Sequence, residues 1–528
     1  MVIAGCALHS LVAQDLSGGR IRAHVKFLSS DLLEGRGPGT RGDLLATEYI
    51  ATQFALAGLK PAGDHGTYYQ QVPLIGIETQ PSARLSAKNT GFKWADEFVG
   101  VNERLTPEDH FEAEAIFVGH GIVAPEFQWD DFKGVDVRGK VLVLFTNEPA
   151  STDPKFFGGR ALTYYGRWSY KYEEATRRGA TGVIIIHTTP TAGYGWEVVR
   201  NSWSREQPYV KLASGEHALS LAGWVTRDAG EKLLALAGHH VDELLKAADS
   251  RDFHPIPLGF RIQCSLPSKV REIQTRNVAG LVEGSDPKLK SEVVIYSAHW
   301  DHLGIGTPVN GDAIYNGAVD NGTGCGILLE LAHAWAAQAK KPRRSALFLA
   351  VTAEEGGLRG SGYYAAHPEI PAGKTALALN YDALRPLGRT RDVVVNGAER
   401  TTAWPFVEAV ARRMALKIDP DPRPEQGSYY RSDHFAFAHV GIPSFSVEQG
   451  DDFVGKAKGF GAKAFDEYNE KHYHQPSDEF QESWDFSGLA NMARFGFLIG
   501  TDVANQDRLP TWRPGDEFLA AREKSGVR

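Results

Sequence analysis

Apolar positions change texture along the chain, and the changes divide it. Near the start, Ile21 to Leu33 reads as one amphipathic helix. Leu44, Leu45, Tyr49, Ile50 and Phe54 give a second apolar helical face behind Asp43, which is placed as its N-cap. The run Glu34-Gly-Arg-Gly-Pro-Gly-Thr-Arg-Gly42 separates the two. No strand precedes it and no Gly-Lys-Ser/Thr follows, so it reads as a tight turn and not as a phosphate cradle. From about Ala95 to Gly259 short β runs dominate (Ala115–Val118, Val141–Thr146, Val183–His187), with a helix over Lys171–Arg178. This stretch is expected to be an inserted module with its own small core. From Asn277 onwards strands and helices alternate. Strands are expected at Glu292–Ala298, Ala346–Thr352, Thr375–Tyr381 and Ser444–Val447, and helices at Gly322–Ala339, Trp404–Met414 and Phe486–Ala504. Such alternation argues for an α/β sheet.

Composition narrows the partners. The 528 residues carry 57 Lys plus Arg against 65 Asp plus Glu, a formal charge of −8, which leaves no electrostatic footprint for nucleic acid or an anionic membrane. The three cysteines, Cys6, Cys264 and Cys325, are too few and too scattered for a disulfide framework or a cysteine-based zinc module. Any metal would therefore be held by nitrogen and oxygen. No stretch approaches the ~20 apolar residues of a membrane span. The first residues, MVIAGCALHSLVA, are apolar but lack a basic leader; Ile3-Ala-Gly-Cys6 is similar to a bacterial lipobox and Leu11-Val-Ala13 to a signal-peptidase site. Residues 1–19 are read as a truncated export signal with Cys6 as a lipid-anchor position. A secreted, periplasmic or outer-membrane-anchored bacterial protein is the expectation.

Five segments put metal-type ligands at strand ends or in glycine-rich turns, where open α/β sheets build their sites. They are Ser297-Ala-His-Trp-Asp-His302, Asp320-Asn-Gly-Thr-Gly324, Thr352-Ala-Glu-Glu-Gly356, Asn380-Tyr-Asp382 and Tyr473-His-Gln-Pro-Ser-Asp478. Alternation along a strand places His299 and Asp301 on one side, and an imidazole oriented by a carboxylate is a usual metal-ligand arrangement. Asp320 sits in a turn before a helix with its carboxylate free to project. The adjacent Glu354 and Glu355 repel each other unless something positive lies nearby, and neighbouring side chains diverge. One can ligate while the other serves a substrate water, the division of labour of metal-assisted hydrolysis. Asp382 ends an apolar strand, where an unpaired carboxylate is costly. His474 lies in a loop stiffened by Pro476.

Taken in order, His-x-Asp, Asp-Asn-Gly-x-Gly, Ala-Glu-Glu-x-Gly, Asn-x-Asp and Tyr-His-x-x-x-Asp resemble the co-catalytic zinc peptidases of family twenty-eight, a group of bacterial aminopeptidases and glutamate carboxypeptidases. The stretches Phe117-Val-Gly-His-Gly-Ile-Val-Ala-Pro125, Gly139-Lys-Val-Leu-Val143 and Arg178-Gly-Ala-Thr-Gly-Val-Ile184 resemble the protease-associated domain. The resemblance implies a three-layer α/β/α fold with a mixed, mostly parallel central sheet. Residues 20–94 and 260–528 would form the peptidase domain, and residues 95–259 a smaller β-rich insert. It implies two zinc ions per chain. Asp320 would bridge them, His299 and Asp382 would complete one position, and Glu355 and His474 the other. Glu354 would be the general base, with Asp301 behind His299. Gly427-Ser-Tyr-Tyr-Arg-Ser-Asp-His434 resembles the segment carrying an oxyanion-stabilising tyrosine in some relatives, and spacing favours Tyr429 over Tyr430. His302 is read as a supporting or surface residue, Arg385 and Arg431 as salt-bridge partners, and Cys325 as a small buried hydrophobe.

The implied activity is a di-zinc exopeptidase acting on peptides or small peptide-like amides, with an aminopeptidase in first place and a glutamate carboxypeptidase-like enzyme as the alternative. A non-catalytic peptidase-like binding protein is disfavoured because all five ligands and Glu354 are retained. A metallo-β-lactamase-like hydrolase is disfavoured because Ser297 stands where the first histidine of its motif belongs. A glutaminyl cyclase-like transferase holds a single zinc, which the complete ligand set argues against.

Overall fold

The computed structural model describes residues 16–211 and 216–527; of the 1–19 segment, residues 1–15 with Cys6 lie outside them, whereas Ser17 caps the first helix and Gly18 and Gly19 begin it. The apolar strands of the C-terminal half assemble as alternation predicts. Ser345–Val351, Val293–His299, Thr375–Asn380 and Ser444–Ser446 run parallel in that order. Ser268–Val282 pairs antiparallel with the first of them and continues to Tyr69–Thr79 and Gln207–Val210. Every residue of Val293–His299, Ser345–Val351 and Thr375–Asn380 is buried, because both faces are covered. Val294, Tyr296, Phe348 and Leu379 meet helices Gly18–Leu28, Arg41–Leu56, Gly324–Ala337 and Ser487–Ala504 on one side. Ile295, Leu347, Leu349 and Ala378 meet Tyr364 and Phe437, from two shorter helices, on the other. This is the mixed, three-layer α/β/α arrangement expected. Among the described residues no helix is long and apolar enough to cross a membrane.

The element ends differ by a few residues. The first helix closes at Leu28 and a short 3-10 segment, Asp31–Arg36, follows. The second starts at Arg41, and its N-cap is Thr40, not Asp43. The Thr40 hydroxyl accepts the Asp43 N–H (3.4 Å), while the Asp43 carboxylate reaches back to the Gly39 N–H (2.7 Å), an arrangement close to a capping box.

The inserted stretch forms a second eight-stranded sheet. Its centre is four parallel strands, His110–Phe117, Val141–Phe145, Gly182–Ile186 and Leu221–Val225. The sheet reaches from Arg84–Ala87 to Ile256–Ser265, so it extends beyond the expected 95–259 at both ends. Nor is it a free-standing module. Gln207–Val210 leaves it to pair with Tyr69–Thr79 in the first sheet, and Ile77 from that sheet is part of the insert's core with Val99, Ile185 and Trp224.

The glycine-rich turn does more than reverse the chain. Arg36 is buried within it and its guanidinium donates to four backbone carbonyls: Leu28 (2.5 Å), Asn316 (2.6 Å), Trp300 (2.7 Å) and Gly317 (3.0 Å). The first helix, the end of strand Val293–His299 and the loop before Asp320 are thus tied to one side chain. The neighbouring Gly35 has φ +67°, and a Cβ there would run into the carbonyl oxygens of Tyr315 and Gly304. Replacing Arg36 by Met leaves buried carbonyls without donors, and loss of a charged buried donor costs about 3 kcal/mol or more. Urea unfolding of R36M should show destabilisation of at least that order. A stability within about 0.5 kcal/mol of the parent, the scale of a neutral surface change, would mean the carbonyls find other donors.

Candidate metal centre

Parallel strands send their C-terminal ends to one edge, and the ligand-type residues collect there. His299 ends its strand opposite Val351, and Ser297 lies opposite Asn380, so the Glu354–Glu355 and Asp382 loops leave the sheet on either side of His299. Asp320 arrives from the turn before helix Gly324–Ala337, and His474 from the loop after helix Phe460–Lys471.

His299 Nε2 lies 3.1 Å from Asp382 Oδ1 and 3.2 Å from Asp320 Oδ1. His474 Nε2 lies 3.0 Å from Glu355 Oε2 and 3.5 Å from Asp320 Oδ2. Asp320 therefore turns one oxygen to each imidazole. In a zinc tetrahedron with ligand atoms at about 2.0–2.1 Å, neighbouring ligand atoms are about 3.3 Å apart. The observed separations fit that spacing on both sides of Asp320, so the donor set suits a pair of divalent cations.

The electrostatics carry the same message. Burial alone would raise the Asp320 carboxyl and lower both imidazoles. Instead Asp320 is drawn below the usual carboxylate range by the imidazoles of His299 and His474. His299 is pushed well above its ordinary value by Asp382, Glu354 and Asp320, and His474 up to about 9 by Glu355 and Asp320. The cage is negative enough to hold its own histidines protonated when nothing else neutralises it. A divalent cation relieves the same charge and leaves the imidazoles neutral to ligate.

Supporting contacts fix these side chains. Ser432 donates to Asp382 Oδ2 (2.5 Å), and Asn380 donates in turn to Ser432. Asp478 accepts the backbone N–H groups of Val319 and Asp320, both at 3.0 Å. Asn321 donates to the Tyr381 carbonyl and accepts from Gly324 and Ala383, which joins the Asp320 turn to the Asp382 loop. His302 is fully buried and its Nδ1 meets Glu355 Oε1 at 2.6 Å, leaving Oε2 turned to His474. Cys325 is buried, with its thiol on the His299 carbonyl.

Two expected roles come out differently. The Asp301 carboxylate is 3.8 Å from His299 Nδ1 and instead accepts the Glu354 N–H (3.2 Å); it is the Asp301 backbone carbonyl that meets Nδ1, at 3.1 Å. Asp301 thus fixes the His299 tautomer through its main chain and the Glu354 backbone through its side chain. Tyr429 does not face the centre. Its hydroxyl donates to the Ser444 carbonyl, and its ring is packed with Trp512 and Phe518.

A cavity of about 820 Å³ opens beside Glu354, Glu355 and His474. Its far wall comes from the inserted sheet, with Arg167, Trp168, Tyr172 and Trp203. Arg431 and Tyr473 line it from the C-terminal half, and Arg431 donates to the Tyr473 hydroxyl (3.4 Å) instead of to a carboxylate. Glu354 faces this space. Burial raises its carboxyl well above the ordinary value, with Glu355 and Asp382 adding and His299 opposing.

Residues 277–495 match the sequence model of Peptidase family M28, a span that holds all five ligand-type residues and Glu354. In sequence, residues 277–495 are thus similar to family M28. A "probable leucine aminopeptidase 2" of Aspergillus oryzae is 26% identical over 254 residues, covering 46% of this chain; the chain spans about half the length of that curated relative (48%). Among solved structures, an aminopeptidase from Aneurinibacillus sp. strain AM-1 aligns with a TM-score of 0.55 at 19% identity, over 96% of this chain and 97% of its own. A zinc aminopeptidase from Bacillus subtilis aligns with a TM-score of 0.50 at 16% identity, with the same coverage. At these identities the structural likeness speaks for the fold, and it takes in the inserted sheet as well as residues 277–495.

If Asp320 serves both imidazoles, Asp320→Ala should lower bound metal at both positions. Elemental analysis of dialysed protein checks this; an undiminished metal content would break the bridging assignment.

Proposed function

We propose that the chain is a di-zinc aminopeptidase, releasing N-terminal residues from peptides. The observation that carries the reading is the shared carboxylate: Asp320 offers one oxygen to the His299–Asp382 pair and the other to the Glu355–His474 pair. The similar proteins, two aminopeptidases and one zinc aminopeptidase, support both the metal and the reaction. His299, Asp320 and Asp382 would hold one zinc, and Asp320, Glu355 and His474 the other. Zinc bound there supplies Lewis acidity to the scissile carbonyl and acidifies water.

The chain's own residues do the proton work. Glu354 is adjacent to the ligands without being bonded to one of their donor atoms, and its backbone is pinned by Asp301. Its raised proton affinity suits a base that takes a proton from water at Oε and returns it to the leaving amine. The inserted sheet, read as a protease-associated unit, closes the far side of the cavity and limits which peptides enter. Glu354→Gln should keep its metal while turnover falls by about 10²–10⁴-fold, the range for a general base. Retained peptidase activity on an aminoacyl substrate would remove Glu354 from that role.

One observation favours the carboxypeptidase alternative. Arg167 and Arg431 both line the cavity, and neither pairs with a carboxylate among the described residues; Arg167 Nε has no acceptor at all. Burial, with Arg431 next to it, lowers the Arg167 guanidinium to about 10. Two uncompensated guanidiniums suit a substrate carboxylate. Hydrolysis of N-blocked peptides with acidic C-termini, lost in Arg431→Ala and Arg167→Ala, would establish it. Cleavage confined to peptides with a free amine, and unaffected by those changes, would leave aminopeptidase action alone.

A further inference from the structure

We infer that the inserted sheet completes one of the two metal positions, with Ser202 acting as a positioning residue for His474. The inference rests on the metal reading above. The contact is direct: Ser202 Oγ lies 2.9 Å from His474 Nδ1, and the neighbouring Asn201 side chain donates to the His474 carbonyl (3.3 Å). Both residues belong to helix Trp196–Trp203, which lies in sequence between two strands of the inserted sheet and is some 270 positions from its target in the chain.

The chemistry fixes which way the proton sits. Nε2 faces Glu355 and Asp320, so it is the nitrogen with its lone pair towards the cation. Nδ1 must then carry the hydrogen, and Ser202 Oγ accepts it. A partner on the distal nitrogen holds the tautomer, sets the ring's orientation and raises its basicity as a ligand. His474 has special need of such support, because its φ is +55°, a conformation few side-chain-bearing residues adopt. Asn201 grips the backbone at that residue, and the Tyr473 ring packs against the imidazole at a tilt of 32°, with centroids 4.0 Å apart.

The helix is itself firmly placed. Trp196 Nε1 donates to the Ala95 carbonyl (2.9 Å), and Trp203 packs edge-on to Trp168 and against Trp224. Gln207 donates to the Ser202 carbonyl, and its strand then enters the first sheet beside Tyr69–Thr79. Arg205 donates to the Leu303 carbonyl, one residue past His302. The segment from Trp196 to Val210 is therefore joined at one end to the insert's core and at the other to the sheet that carries the ligands.

The other position is built differently. His299 Nδ1 is served by the Asp301 carbonyl at its own strand end, and Asp382 by Ser432. Neither support comes from the insert. The two positions should thus respond unequally to changes in helix Trp196–Trp203.

The test is a titration of metal-stripped protein with Zn2+ against a chromophoric chelator, repeated with Co2+, whose visible spectrum reports coordination at each step. Ser202→Ala should weaken one equivalent by about tenfold, the lower end for loss of such a partner, and change the Co2+ spectrum of that step alone. The other equivalent should stay within about twofold, and Ser202→Thr, which keeps the hydroxyl, should restore the parent constants. Two unchanged equivalents in Ser202→Ala would overturn the inference, as would an equal loss at both. Failure of the parent protein to bind two equivalents would instead strike the di-zinc reading.

Discussion

Everything at the C-terminal edge of the main sheet answers to one electrostatic problem: Asp301, Asp320, Glu354, Glu355 and Asp382 converge around two imidazoles. A carboxylate removed from water costs several kcal/mol unless a positive charge or several donors meet it. Here the ionic partners available within the cage are His299 and His474, and both are driven towards protonation by it. Arg36 is near but spends its donors on four carbonyls, so its charge acts only at a distance. Protonated histidines are a poor solution, since they neutralise the cage by losing the lone pairs that could ligate. Cations between the oxygens and nitrogens satisfy both groups at once.

That constraint explains why the supports are largely main-chain contacts. An oxygen that must face a cation cannot also be held by a strong cationic side chain without losing charge to it. Asp320 is therefore fixed through its own N–H to Asp478, and Glu354 through its N–H to Asp301. Asn321 ties two loops together through a carbonyl and two N–H groups. Where a side chain does hold a ligand carboxylate, it is neutral: the Ser432 hydroxyl on Asp382, and His302, which burial keeps below the usual imidazole value, on Glu355. Neutral donors orient the carboxylates and leave their charge for the cation.

The same distinction decides what could be read from the sequence. The parallel sheet was legible because Ile295, Leu347 and Leu379 belong to uninterrupted apolar runs, and such runs in alternation with helices leave few other folds. His299, Asp320, Glu355, Asp382 and His474 were legible because each stands in a short motif at a strand or helix end, and the structure brings the five together. Residues that act only through long-range hydrogen bonds have no such mark. Arg36 sits in a turn that looks like any glycine-rich reversal, and Ser202 in a helix whose amphipathic pattern records only Val198, Val199 and Trp203. Tyr429 was misplaced for a related reason. Spacing within Gly427–His434 does not say which of two adjacent tyrosines the three-dimensional turn sends inward, and here Tyr429 goes to the Trp512 cluster while Tyr430 lines the cavity.

The insert's boundary illustrates how such a hidden contact shapes a fold. A module hung on two linkers could move without disturbing the metal ligands, and its texture in the sequence suggests one. Instead its chain crosses into the main sheet at Gln207–Val210, shares Ile77 and Val270 with the core strands, and touches His474 on the way. Three separate tethers over about a dozen residues make a rigid connection, because each removes freedom the others would otherwise leave. The segment that crosses between insert and core thus also lines the cavity, through Ser202 and Trp203, and contacts His474. A change that tilts the insert away from the core must strain the Ser202–His474 contact or unpair Gln207–Val210.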